Sequence, residues 1–538
     1  MQIGTSIFDS NIGSEHLVGL AGAGFATGMA MAHWEMQGWL ILILGWVFVP
    51  LYDRMKVFTM PEFLELRFGK GPRRVLSVLT MAALVLTKIA ATIYAGDVVV
   101  RTLFGLGEQV TLFGVEVGVF WLIALGLALT TGIYTVCGGM RVIMYTAVFQ
   151  APVLLLGSLA ILYFGLDKLG DGSLATGWHR MLESSGDKVH LIRSNADPEW
   201  PWLAVLPGAA IIGFWYWCTD QYIVQRVLAG RNQTESRRGS IFAAYLKLTP
   251  VFIFLLPGMV AYALTKTPAS GFTSPSGDAA YTSLVAQVLP HGVRGLVACG
   301  MLVALMASLA AKFNASATLF TMDFYRAWKP EASPRSEVRV GRIATAAIVL
   351  LGILWVLVIK SLHSNLYEYL QSVQGYLAPS IVVLFVFGIF WKRATAPAAL
   401  TAFIVGITAG FARLACDLIM GANAKAVTAL KEQLYRGEIT AERFAAELLP
   451  LKAKLGVFFP LWNIHWLYYS QIILVLVSVV IVAGSLLTAP PAPGTVRFTW
   501  FGATPEEKAA TRAGWNAWDV VLSAGVVLAC ILFYLRFW

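Results

Sequence analysis

Charge is what this 538-residue chain has least of: Asp, Glu, Lys and Arg make up 13% of it, against 58% hydrophobic residues. Soluble domains carry about 25% charged residues, so soluble enzyme and binding-module architectures are excluded. Cysteine and histidine are also scarce, at five and seven. Cys137, Cys218, Cys299, Cys416 and Cys530 stand singly in apolar stretches, without CxxC spacing or a nearby histidine cluster. That pattern indicates neither a disulfide framework nor a zinc site and predicts buried free thiols. The basic excess, 40 Lys and Arg over 30 Asp and Glu for a net charge of +10, gathers in short clusters between apolar stretches. Such clusters are topology signals and not a nucleic-acid surface. A cleavable leader is not expected, because Asp9, Asn11 and Glu15 interrupt the first apolar run.

What remains is apolar sequence in bilayer-length windows, near residues 2–27, 34–53, 73–104, 117–138, 142–166, 201–226, 239–266, 292–322, 341–362, 366–391, 396–420, 464–488 and 515–536. The chain reads as an all-α polytopic membrane protein. Arg54, Lys56, Lys70, Arg73 and Arg74 share one short loop; Arg226, Arg231, Arg237 and Arg238 share another, as do Arg326, Lys329, Arg335 and Arg339, then Lys392 and Arg393. The positive-inside rule puts these alternate loops in the cytoplasm, so the first helix runs outward and the last ends outside. Connections 167–200, 267–291, 421–462 and 489–514 are polar enough to be aqueous. Within the third, Ala424 to Leu455 reads as one or two surface helices. The Gly22, Gly24, Gly28 series follows no strand, and close helix packing through Gly24 and Gly28 accounts for it better than a dinucleotide fingerprint.

The stretch from Phe8 to His16 is too polar for lipid, yet it stands at the front of the first apolar window. Irregular or polar backbone survives at membrane depth only where it lines an enclosed cavity, so an unwound helix at a binding site is expected there. A charge at the bilayer centre costs at least about 2.5 kcal/mol and is kept for a reason. Asp9, Asn11, Glu15 and His16 recur on the first window, Glu35 and Gln37 on the second, and Asp220 and Gln221 on the sixth; Lys247, Lys312, Asn314, Glu368, Gln371 and Gln374 follow. Interleaved with Trp34, Tyr216, Trp217, Tyr367 and Tyr369, they suit a polyhydroxylated ligand. Hydroxyl pairs take bidentate partners, and the apolar face of a sugar ring stacks on an aromatic one. For any one residue a helix–helix hydrogen bond, worth about 0.6 kcal/mol, is the plainer account.

At this point "NIGSEHLVGLAGAGFATG", "GWVFVPLYDRMKVFTMPEFLELRFG", "YWCTDQYIVQRVLAGRN", "YLKLTP", "NASATLFTMDFY" and "GIFWKR" resemble the sodium/solute symporter family, in its sodium/glucose cotransporter branch. The resemblance runs from about residue 6 to the end, apart from 421–462. It implies a LeuT-type core, the architecture that general accounts of transporters use as their example. Residues 1–166 would be the first inverted repeat, with its N-terminus truncated, and 201–391 the second. Residues 396–538 would carry helices 11–13 with the exterior insert. The resemblance further implies a hexose site made by Asn11, His16, Glu35, Tyr216, Trp217, Lys247 and Gln371. Trp34, Tyr367 and Tyr216 would be gates, with Glu15 and Glu368 as additional substrate contacts.

The sodium ligands carry over less well. The resemblance implies backbone oxygens at Asp9, Ile12 and Ala304 and two serine hydroxyls, but the latter positions hold Ala307 and Ser308. Ala147 stands where many members carry an aspartate, and Ala310 and Ala311 where relatives are often hydroxylated. Asp9 and Lys312 are charges where relatives have a small and an apolar residue. Lys312 is four residues after Ser308, on one helix face. An Asp9–Lys312 ion pair occupying the sodium site is one expectation; the plainer one has Lys312 in the cytoplasmic vestibule and Asp9 improving sodium binding. The resemblance implies a hexose transporter, coupled to sodium, to protons or to nothing, with a sugar sensor and a membrane enzyme as lesser readings. Its partners would be a small sugar and the lipid bilayer, without nucleic acid, organic cofactor or obligatory protein partner. A bacterial inner membrane is its expected location. Since Met1 precedes Asp9 by so little, a misassigned start or a fragment is expected.

Overall fold

A computed structural model describes residues 2–538 apart from 14, 113, 363–365, 422 and 436–437; some helical side chains, among them those of Cys137, Ala147, Tyr367 and Glu368, also lie outside the description. Among the described residues, eleven helical stretches, from Gly28–Met55 to Ala517–Arg536, are long and apolar enough to cross a bilayer, and a shorter apolar helix covers Val119–Ile133. The remaining expected crossing, at the N-terminus, is broken. Helix Gln2–Asn11 ends before Gly13 and helical structure resumes as a π turn at Glu15–Leu20. A second break follows Trp202–Phe214 and its π turn Trp215–Thr219, where Asp220 is extended (ψ 122°) and its carboxylate accepts from the Tyr222 amide at 3.2 Å, capping Gln221–Leu228. These two discontinuous helices face each other. The Tyr222 hydroxyl donates to the Ser10 carbonyl, and Arg226 Nε donates to Ser10 Oγ at 3.1 Å.

Pairs of half-helices meeting at membrane depth are how transporters expose backbone groups to a ligand without exposing them to lipid. π turns recur at Leu44–Phe48, Leu84–Ile89, Val251–Leu255 and Phe320–Tyr325. Such turns insert one residue and re-aim the side chains that follow, which is why they gather at functional sites.

Two sequence expectations need correction. Windows 117–138 and 142–166, expected as separate helices, fall in one run of helical hydrogen bonding, Val119–Leu169, whose 51 residues are about twice what one crossing needs, as two crossings require. The Gly138–Gly139 pair between them lowers helix propensity by only about 1 kcal/mol per residue, and no proline stands there to force a stop. Of the described cysteines, Cys218, Cys416 and Cys530 are buried free thiols, but Cys299 is exposed. A hairpin of Gln109–Leu112 with Val115–Gly118, which no periodicity announced, precedes the long helix.

Helix His291–Leu319 packs along Val119–Leu169 and touches Gln2–Asn11. Outside this core, Ala396–Met420 and Trp466–Leu487 pack together and against Leu366–Phe390. Ile472, Val475, Val479, Leu528, Ile531 and Leu535 are exposed on the outer helices, as lipid contact requires. The insert forms two helices, Asn423–Tyr435 and Ala441–Leu455, which bury Val427, Leu448 and Leu455 with Cys416, Met420 and Trp462. Gly24 abuts the Leu255 backbone, as close packing requires, whereas Gly28 makes a turn at φ 73° against Lys188.

Candidate functional site

A small cavity of about 50 Å³ lies where the two broken helices meet Gly28–Met55, Gln233–Lys266 and Leu370–Phe390. Its walls bring together Asn11, Glu15, His16, Trp34, Glu35, Tyr216, Trp217, Lys247 and Gln371, with Gln37, Ile212, Gly213 and Gln374 between them. All seven residues expected to bind sugar are therefore neighbours here, although they come from five stretches of chain. Tyr367 and Glu368 lie outside the described side chains.

The π turns set this convergence. Glu15 and His16 open the turn after the first break, and Tyr216 and Trp217 lie in the turn before the second. Glu35 Oε2 accepts from Lys247 Nζ at 2.5 Å and lies 3.4 Å from His16 Nε2, which is 3.3 Å from Asn11 Nδ2. The Glu35 and Lys247 side chains are 2% and 5% exposed, so each charge depends on the other for solvation. The Lys247 ammonium also sits 5.3 Å from the centre of the Trp217 ring, against whose plane Tyr216 packs edge-on at 4.9 Å. Gln37 Nε2 donates to the Ala209 carbonyl at 2.7 Å, fastening the second span to the helix before the second break.

Three polar atoms on these walls, His16 Nδ1, Trp34 Nε1 and Gln371 Oε1, are buried and find no hydrogen-bond partner among the described residues. Buried polar groups are nearly always paired, so such atoms on the wall of one cavity are available to a ligand. One side of the cavity is roofed by tryptophan. Trp34 meets Trp200 edge-on at 5.9 Å and stacks on Trp466 at 6.2 Å. His465 stacks on Trp466 and bonds the Glu199 carbonyl through Nε2 at 2.9 Å, tying the roof together. On the other side a separate cavity of about 540 Å³ is lined by Tyr52, Asp53, Gln225, Arg231 and Asn314.

The expected Asp9–Lys312 pair is not formed. Lys312 Nζ donates to Thr92 Oγ1 at 2.5 Å and to Glu15 Oε1 at 3.3 Å. The charge acting on Asp9 is instead Arg226, from the second broken helix. Asp9 lies in the last turn before the break and Glu15 just after it, so the lysine takes the carboxylate on its own side. Ala304, Ala307, Ser308 and Ile12 are all buried beside the break. A Cβ on Gly13 would stand 2.5 Å from Ser308 Oγ, which shows how tightly the break abuts helix His291–Leu319. Ala147 lies outside the described side chains. No cluster of three or more His, Cys, Asp or Glu able to hold a metal occurs among the described residues.

Sequence reasoning missed Lys88. Its ammonium pairs with Asp220, and it lies 5.0, 4.8 and 4.8 Å from the ring centres of Trp215, Tyr216 and Tyr222. The signal was available, since Lys88 is a charge inside an apolar window and the rule that singled out Lys247 applies to it equally.

Comparison with known proteins adds the family. The rabbit (Oryctolagus cuniculus) sodium/myo-inositol cotransporter 2 is 35% identical over 526 residues, covering 93% of this chain and 72% of its own. The zebrafish (Danio rerio) sodium/glucose cotransporter 4 is 32% identical over 93% of this chain and 74% of its own. The sheep (Ovis aries) sodium/glucose cotransporter 1 is 33% identical over 91% and 73%. Among solved structures, a substrate-bound, outward-open Na+-coupled sialic acid symporter superposes with a TM-score of 0.69 at 20% identity, over 91% of this chain and 90% of that one. A nucleobase-cation-symport-1 family transporter superposes with a TM-score of 0.52 at 13% identity, over 92% and 95%. The fold is thus the all-α, LeuT-type inverted repeat with additional C-terminal helices, in a multi-pass integral membrane transporter and not an enzyme. The family model of the sodium:solute symporters matches residues 1–406, and by that match and these relatives the chain belongs to the sodium:solute symporter family.

Proposed function

We propose that this protein carries a monosaccharide of hexose size across a bacterial inner membrane by alternating access, using residues 1–166 and 201–391 as its two repeats. The observation that carries the reading is the set of unspent polar atoms, His16 Nδ1, Trp34 Nε1 and Gln371 Oε1, around one cavity. Glu35 and Lys247 hold each other in fixed orientation, so a vicinal hydroxyl pair meets an acceptor and a donor that need no reorganisation. Trp217 and Tyr216 supply the flat apolar surface that a ring face needs. The named solutes of the relatives, myo-inositol and glucose, are both six-membered polyols. Trp34 and Tyr367 act as the outer gate and Tyr216 as the inner one.

The test is uptake of labelled glucose, galactose and myo-inositol into proteoliposomes. Saturable uptake of at least one is expected, falling at least tenfold in Glu35→Gln and in Gln371→Ala. Absence of uptake and of binding for all three overturns the reading.

Sodium is a second cargo in this family, and here its site is altered. Ser308 beside Gly13 and the carbonyls at the break suit a small cation, but Ala307 contributes no side-chain oxygen. Ordinary sodium-coupled symport is the second reading, favoured by that apposition and by the relatives' names.

A further inference from the structure

Lys312 is fully buried, at 0% exposure, in the last third of helix His291–Leu319. Its ammonium reaches Thr92 on helix Ala90–Phe104 at 2.5 Å and Glu15 on the broken first helix at 3.3 Å. One positive charge therefore bridges three elements at the point where the first helix is interrupted. A bound monovalent cation performs this task when it joins an unwound segment to neighbouring helices. Here the charge is covalently part of the protein. A second cation brought alongside would be repelled by a fixed ammonium in a low-dielectric surrounding, where Coulomb terms are large, and it would find Ala307 in place of a hydroxyl. Glu15 also lines the sugar cavity, so a sugar hydroxyl that engages this carboxylate acts on the same pair that holds the broken helix to its neighbours.

Resting on the sugar-transport reading above, we propose that Lys312 is a built-in cation: its ammonium, held by Glu15 and Thr92, supports the broken helix in place of a transported ion, so that sugar crosses this membrane protein without sodium.

The full chain in proteoliposomes decides it, with labelled glucose and myo-inositol as probes and sodium or choline as the external salt. Binding is read in parallel from tryptophan fluorescence in detergent. Initial rates in the two salts should agree within twofold, and internal sugar should plateau at the external concentration even under an inward sodium gradient. In Lys312→Met, uptake in choline should fall at least tenfold. In Lys312→Arg, which retains the charge, the ratio of sodium to choline rates should stay near one. A tenfold faster rate in sodium, or accumulation above the external level driven by sodium, overturns the inference and leaves the sugar reading standing. So does a folded Lys312→Met with unchanged uptake in choline. Neither uptake nor fluorescence response to either sugar in any salt removes the sugar reading, and the inference with it.

Discussion

Lys88 and Asp220 have side chains only 2% and 1% exposed, and they join the third crossing to the second helix break. Removing one partner of such a pair leaves the other charged and alone, at a cost of about 3–5 kcal/mol. Lys88→Met should therefore lower the thermal unfolding midpoint in detergent by several degrees. Adding Asp220→Asn, which removes the charge but can still cap Gln221–Leu228, should restore part of that loss. Strictly additive losses would show that the two do not act as a pair. The same physics explains what could be read at this scale. Glu35, Lys247, His16 and Gln371 stood out because polar groups are rare and costly at bilayer depth. Lys312 stood out too, but helical spacing tells which face a lysine occupies and not where a four-carbon stem ends. The sequence offered Asp9 as its partner, and packing put Thr92 and Glu15 at its tip instead.

Elements were legible where length alone defines them, since apolar windows of about 20 residues are what a bilayer requires. π turns were not, because one inserted residue barely disturbs an apolar run, yet they aim Glu15, His16, Tyr216, Trp217 and Lys88. The first break could be inferred from the polar stretch between Phe8 and His16, and its geometry explains Gly13. A Cβ there would meet Ser308 Oγ at 2.5 Å and Ser308 Cβ at 2.8 Å. Gly13→Ala should push the break from helix His291–Leu319, cost about 1–3 kcal/mol of stability as overpacking does, and reduce sugar uptake at least tenfold. Gly126→Ala, with nothing within 4 Å of its new Cβ, is the control and should match the parent protein in both measurements. Equal behaviour of the two variants would mean that the break does not need this close approach.

For the whole molecule, the sequence carries topology through its basic loops, while the conformational state is a property of packing alone. Lys56 and Arg231, two of the charges that mark the cytoplasmic face, line the cavity of about 540 Å³ below the site, together with Gln225 and Asn314. On the opposite side Trp34, Trp200 and Trp466 close over the smaller cavity, and the last two begin spans that enter from outside. The described conformation is thus roofed toward the exterior and hollow toward the cytoplasm. Asn314→Cys, in a background whose native cysteines are replaced, should react with a membrane-impermeant maleimide at least tenfold faster in inside-out than in right-side-out vesicles. Equal rates would mean that the large cavity does not communicate with the cytoplasm and that the tryptophan roof is not the closed side. A transporter resting in this state must turn outward to collect sugar. Helix movements that lift Trp34 from Trp200 and Trp466 must therefore also shrink the space around Asn314, and external sugar that shifts the population outward should slow its labelling.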